Sequence, residues 1–143
     1  IIVSEKNDTG TYPGPEIAKF STQLWHSHYG TKLIYVAGDR YTAGYIGYYS
    51  RDKPLIWMEW NNKNSPWINQ KMMRCKGALF IIESGHTVQH FFKGSHFPKF
   101  VREQFPNLIN LPLKSFNWYR NYTRQTPIKV RFALLPPDKT YCN

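Results

Sequence analysis

The chain has 143 residues, with 19 Lys and Arg against 9 Asp and Glu, for a formal charge of +10. A chain of this length builds one core and rarely two, and 41% hydrophobic with 17% aromatic residues is too apolar for a disordered chain. No apolar run approaches the roughly 18 residues that span a bilayer, and no signal-peptide pattern is visible at the start.

Pro13-Gly14-Pro15 opens a predicted helix in which Ile17, Phe20, Leu24 and His28 recur at helical spacing, with Trp25 on the flank. Gly30 supplies its stop. Leu33 to Val36 reads as a first strand ending in Gly38-Asp39. A short aromatic helix fits Arg40 to Tyr49, where Tyr41, Tyr45 and Tyr48 or Tyr49 share a face, and Asp52-Lys53-Pro54 breaks it. Leu55 to Trp60 predicts a second strand, followed by the polar loop Asn61 to Asn64. Ser65-Pro66 then predicts a helix start, a hydroxyl cap before a proline, continued by Ile68, Met72 and Cys75 and closed by Gly77. Ala78 to Ile82 is a short continuous apolar run, as expected of a strand buried on both faces. A further helix is expected from near Ser95 to just before Pro106, with Phe97, Val101 and Phe105 in register. Two more strands fit Leu108 to Leu113 and Ile128 to Leu135.

This alternation predicts a small three-layer α/β domain, a mostly parallel sheet with helices on both faces. Leu33–Val36, Leu55–Trp60 and Ala78–Ile82 are expected as parallel neighbours. Because only Asn117 to Thr126 links the last two strands, the closing strand is expected to be antiparallel.

Ligands of open parallel sheets bind outside the carboxyl ends of the strands. Three predicted strands end in an acid: Asp39, Glu59 and Glu83. With Arg40, Trp57, Trp60 and Trp67 nearby, they form a candidate ligand site. Carboxylates beside tryptophans would suit a sugar ring, which needs a flat apolar platform and hydrogen-bond acceptors. The plainer alternative has Asp39 capping the next helix and Glu59 paired with a surface lysine.

No catalytic signature accompanies this set. The dinucleotide and Walker glycine patterns are missing, as is the serine-hydrolase elbow around Glu83-Ser84-Gly85-His86, so no cofactor is expected. Glu83, His86, His90 and His96 have metal-ligand types, yet Thr87 stands where a metalloprotease motif needs Glu. His26 and His28 would face different sides of their helix. Cys75 and Cys142 lack Cys-x-x-Cys spacing, and the sequence leaves open whether they meet. The basic residues are scattered and match no nucleic-acid-binding pattern, which leaves nucleic acid as a minor alternative.

Between Tyr35 and Ser84, the segments VAGDRYTAGYIGYYSRDKPLIWMEW, NSPWI and KGALFIIE resemble the C-terminal extramembrane domain of certain bacterial glycosyltransferases. These are relatives of the protein mannosyltransferase and aminoarabinose transferase families. YPGPEIAKFSTQLWHSHYG resembles the helix leading into that domain, and LPLKSFNWYR and KVRFALLPP resemble its closing hairpin, so the likeness runs from about Tyr12 to Pro137.

The resemblance implies a multi-pass membrane core of the GT-C type and a polyprenyl-phosphate sugar donor. The catalytic acid of such enzymes lies in a loop between membrane helices, and Asp39, Glu59 and Glu83 do not match that motif. The implied role is a non-catalytic accessory domain, residues 12–143, at the periplasmic face of the bacterial inner membrane. Residues 1–11 would follow the membrane region, in keeping with the start at Ile1 without a Met. The implied partners are the membrane core of the parent chain, anionic lipid headgroups or the polyprenyl-phosphate sugar. A periplasmic location would also permit a Cys75–Cys142 bridge.

Overall fold

A computed structural model describes residues 12–84, 96–118 and 127–143. Within them, helix α1 (Gly14–Tyr29) precedes strand β1 (Tyr35–Gly38), helix α2 (Arg40–Tyr49) and strand β2 (Leu55–Met58). Helix α3 (Gln70–Lys76), strand β3 (Ala78–Ser84) and helix α4 (Lys99–Gln104) follow. Strands β4 (Ile109–Asn110), β5 (Lys114–Phe116) and β6 (Ile128–Leu135) complete the sheet, ahead of a 3-10 turn at Lys139–Tyr141.

The strand order is β2-β1-β3-β6-β4, with β5 also on β6. β1 pairs in parallel with both β2 and β3, and β6 runs antiparallel to β3, β4 and β5. β6 alone is therefore reversed, and the expected α/β class with a mostly parallel sheet holds. The closing strand is antiparallel as expected, but it sits inside the sheet, between β3 and β4.

Side chains alternate across a strand, and this alternation sorts the core into two clusters. Leu79 and Ile81 of β3, with Val130, Phe132 and Leu134 of β6, join Ile17, Ala18 and Trp25 of α1 and Ala43 and Ile46 of α2. The alternate residues Ala78, Phe80 and Ile82, with Ala133 and Leu135, join Met73 of α3 and Val101 of α4. The chain leaves β1 for β2 on one side, then crosses back to β3 on the other. α2 packs with the first cluster and α3 with the second.

Several element boundaries differ from the expectations, each for a physical reason. β1 begins two residues late because the Leu33 N–H is taken by Asp52 Oδ2 at 2.8 Å. β2 stops at Met58 because Glu59 and Trp60 turn left-handed, at φ 55° and 53°, in a turn closed by Asn61 N–H on the Met58 carbonyl at 3.0 Å. Ser65 does not cap α3: its hydroxyl accepts the Met58 N–H at 2.7 Å. The helix starts later, capped by Asn69, which accepts from Met72 N–H at 3.1 Å.

Of the strand expected over Leu108 to Leu113 only Ile109–Asn110 pairs, as β4, and an unforeseen β5 follows at Lys114–Phe116; Pro112 between them lacks the N–H that a ladder needs. In α1 the buried stripe is Ile17, Ala18, Ser21, Thr22 and Trp25. Phe20 and Leu24 are only half-buried, and His28 is exposed. Ser95, the expected start of α4, lies outside the described residues.

At the end of β1, Gly38 pairs with Ile81 of β3. A Cβ at Gly38 would collide with the Ile81 carbonyl oxygen and lie 2.6 Å from its Cγ2. Gly38→Ala should therefore destabilise the fold by about 1–3 kcal/mol. Gly44→Ala adds a Cβ in open space inside a helix and should stabilise by about 0.5–1 kcal/mol. Urea unfolding of both variants checks this, and equal losses would contradict it.

Candidate functional site

The order β2-β1-β3 makes the carboxyl end of β1 and β3 a topological switch point, where open α/β sheets place their ligands. Asp39 follows β1 there, and Glu83 lies near the end of β3. Period-two alternation puts Glu83 on the same face as Leu79 and Ile81, toward α1 and α2. Both acids are buried, Asp39 at 0% and Glu83 at 7% exposure.

Asp39 is the N-cap of α2, with Oδ2 accepting from Thr42 N–H at 2.9 Å. The capping role foreseen as the plainer alternative is therefore real. The other oxygen, Oδ1, is buried and makes no hydrogen bond of regular geometry. Tyr12, just before α1, donates its hydroxyl to Glu83 Oε1 at 3.3 Å and lies 3.4 Å from Thr42 Oγ1. A phenol has one proton to give. While it serves Glu83, the Thr42 hydroxyl is left as the donor to Tyr12.

Burial raises the Glu83 pKa to about 7, reinforced by the Asp39 charge and only partly countered by the Tyr12 bond. Burial also raises Asp39, against the Thr42 N–H and the backbone amides of Glu83 and Asp39. The Tyr12 phenol is pushed up as well, by burial and then by Glu83. Repulsion from the Asp39 charge thus adds to burial in favouring the protonated Glu83, and Glu83 changes its protonation state near neutral pH.

The remaining predicted residues divide. Arg40 and Glu59 form an ion pair at 3.5 Å on the same sheet edge. The partner of Glu59 is thus an arginine, not the lysine expected. Trp60 is buried in the second cluster, on the α3 and α4 side. Trp67 is half exposed and donates Nε1 to the Ile56 carbonyl at 2.9 Å, where it covers the backbone of the edge strand β2. Trp57 is buried in the same second cluster as Trp60, so the seven residues do not form one tryptophan-and-carboxylate site.

His86 and His90 lie outside the described residues, and His96 is exposed. Among the described residues no group of three or more His, Cys, Asp and Glu is placed to hold a metal ion. Tyr12 and Thr42 escaped the sequence reading. Tyr12 stands 71 positions from Glu83, and no local pattern announces such a contact.

The pair connects to the surface through stacked rings. Tyr12 stacks on Tyr45 at 4.8 Å, and Tyr45 on Tyr49 at 6.0 Å with an interplanar angle of 7°. Tyr41, Tyr48 and Tyr49 are 55%, 71% and 45% exposed. Comparison of the chain with family models, with curated proteins and with solved structures finds no match. The functional reading therefore rests on the residues.

The sign of the pH dependence follows from the raised Glu83 pKa. Between its ordinary value of 4.5 and about 7 the folded state holds more protons than the unfolded chain, so stability falls as pH rises through that window. Glu83→Gln should remove this slope and gain roughly 1–3 kcal/mol over the parent at pH 8, with little difference at pH 4. Urea unfolding at the two pH values measures it. An unchanged slope in the variant would show that Glu83 titrates normally.

Proposed function

We propose that this chain is the accessory domain of a polytopic membrane glycosyltransferase of the GT-C type, which takes sugar from a polyprenyl-phosphate donor. The domain, residues 12–143, stands at the periplasmic face of the bacterial inner membrane. It engages the headgroup layer and the acceptor beside its own membrane core, and does not itself transfer sugar. In this reading the fold is a three-layer α/β sandwich, supported by the two apolar clusters on either side of the sheet.

The observation that carries the reading is the outer face of α2. Its exposed tyrosines pair an apolar ring with a polar tip, the character favoured where hydrocarbon meets water. Cations border them. Arg40 lines the tyrosine groove, and Lys53 donates to the Tyr48 carbonyl at 2.6 Å and sits 5.6 Å from the Tyr48 ring centre. Lys19 and Arg51 line the next groove along with Tyr49. Each such cation near an anionic bilayer contributes about 1 kcal/mol, so four of them facing one surface give measurable binding.

Among the described residues no helix is long and apolar enough to cross a membrane, so the membrane-spanning part belongs to the proposed parent. The Cys75–Cys142 disulfide supports an oxidising compartment such as the periplasm. A second reading, a sugar- or headgroup-binding module, draws on the carboxyl pair at the switch point. The two combine if the pair contacts the acceptor presented at the membrane.

Sedimentation with phosphatidylglycerol vesicles should recover the chain in the pellet at low salt, and neutral vesicles should not. Recovery should fall toward 1 M salt, where the Debye length shrinks to about 3 Å. Tyr48→Ser combined with Arg51→Ser should lose most of the binding. Equal recovery with both vesicle types at low salt would defeat the docking role, and stronger retention by single-stranded DNA than by the anionic vesicles would favour a nucleic-acid binder instead. In a transfer assay with a polyprenyl-phosphate sugar the chain alone should give no product. Turnover lost on Asp39→Asn or Glu83→Gln would overturn the accessory role.

A further inference from the structure

The chain leaves β2 through a strained turn at the carboxyl edge of the sheet. Glu59 and Trp60 are consecutive residues at positive φ, 55° and 53°, a genuine outlier for a side chain as bulky as tryptophan. Strain of this kind persists only where the surroundings enforce it, and it gathers at ligand sites. Glu59 goes to Arg40 at 3.5 Å and Asn64 at 3.2 Å. Trp60 goes to the other side, edge-on to Phe97 with ring centres 6.1 Å apart.

On that side lies a cavity of about 490 Å³, lined by Trp57 and Trp60, by Asn62 and Gln70, and by α4. Its volume falls within the roughly 300–1,000 Å³ of small-ligand sites. The polar lining is pre-set. Asn62 Oδ1 accepts from both Trp57 Nε1 and Gln70 Nε2, each at 3.0 Å. With that oxygen occupied, the two N–H groups of Asn62 Nδ2 and the acceptor Oε1 of Gln70 remain for a guest.

From α4, Gln104 adds a third carboxamide to the lining, and Phe100 keeps its ring 48% exposed. Among the described residues the only charged group in the lining is Glu103, which pairs with Lys99 at 3.8 Å. A phosphate or carboxylate guest would meet that carboxylate, so the chemistry disfavours anions. A pyranose fits. Its C–H face can lie on an aromatic ring, whose π face is electron-rich, and its hydroxyls can pair with carboxamides that both donate and accept.

We propose that this cavity is a binding site for a neutral hexopyranose, with Phe100 as the platform and Asn62, Gln70 and Gln104 as the hydroxyl contacts. The site shares no residue with the α2 face and stands or falls independently of membrane docking.

Saturation-transfer NMR on the full chain with methyl mannoside, methyl glucoside and methyl galactoside tests it. At least one glycoside should show transfer, with a dissociation constant on the order of 1 mM, as expected for so small a ligand. Phe100→Ala and Gln70→Leu should each weaken it tenfold or more while the circular dichroism spectrum is retained. Tyr48→Ser should leave glycoside binding unchanged, and Phe100→Ala should leave vesicle recovery unchanged. No transfer with any of the three glycosides, or transfer of equal strength in both cavity variants, would overturn the proposal.

Discussion

Asp39 and Glu83 bring two carboxyl groups, both buried, to the same end of adjacent parallel strands, and the rest of the carboxyl edge is arranged around them. Burying one carboxylate already carries a penalty unless hydrogen bonds replace its water, and a second beside it adds like-charge repulsion. The fold answers with neutral donors. Asp39 takes the Thr42 N–H, as an N-cap worth about 1 kcal/mol does elsewhere, and Glu83 takes the Tyr12 hydroxyl. Four elements thus meet at one polar cluster: the approach to α1, the start of α2, and the ends of β1 and β3. The bare backbone of Gly38 lets β1 and β3 close up directly beneath it.

This arrangement gives the molecule two unlike surfaces. On the α2 side, Thr42, Ala43 and Ile46 are buried, so the intervening tyrosines are turned outward, and the stack Tyr12–Tyr45–Tyr49 runs from the acid pair to the surface. On the other side, the strained exit of β2 shapes a cavity against α3 and α4. The disulfide steadies that side: Cys142 joins Cys75 of α3, and Asp138 N–H bonds to the Arg74 and Cys75 carbonyls at 3.0 and 3.2 Å. Arg74 in turn lies 4.3 Å from the Phe105 ring centre and donates to the Gln104 carbonyl at 3.2 Å, which ties the C-terminal turn to α4.

Much of the fold was legible because burial leaves a local trace. The run Ala78–Ile82 reads as a strand covered on both faces, and Gly30 and Gly77 closed their helices as expected, both at positive φ. Boundaries failed where a distant partner took a group that the local pattern had assigned elsewhere. The Ser65 hydroxyl looks like a helix cap and instead serves Met58. The convergence of Asp39 and Glu83 was legible because parallel strands end at one edge, and each acid directly follows or closes its strand. The tryptophans misled for the opposite reason: an unusual left-handed turn, with neither Gly nor Asn to mark it, sends Trp60 away from the acids. Tyr12 could not be found at all, since its contact is made only by folding.

The account turns on the claim that burial and the neighbouring Asp39 hold Glu83 partly protonated near neutral pH. The most direct measurement is a carbon-13 NMR titration of the glutamate side-chain carboxyls, with Glu83 assigned by comparison with Glu83→Gln. The Glu83 resonance should titrate with a midpoint near 7, and Asp39→Asn should lower that midpoint by removing the neighbouring charge. A Glu83 midpoint at the ordinary value near 4.5, unmoved by Asp39→Asn, would contradict it.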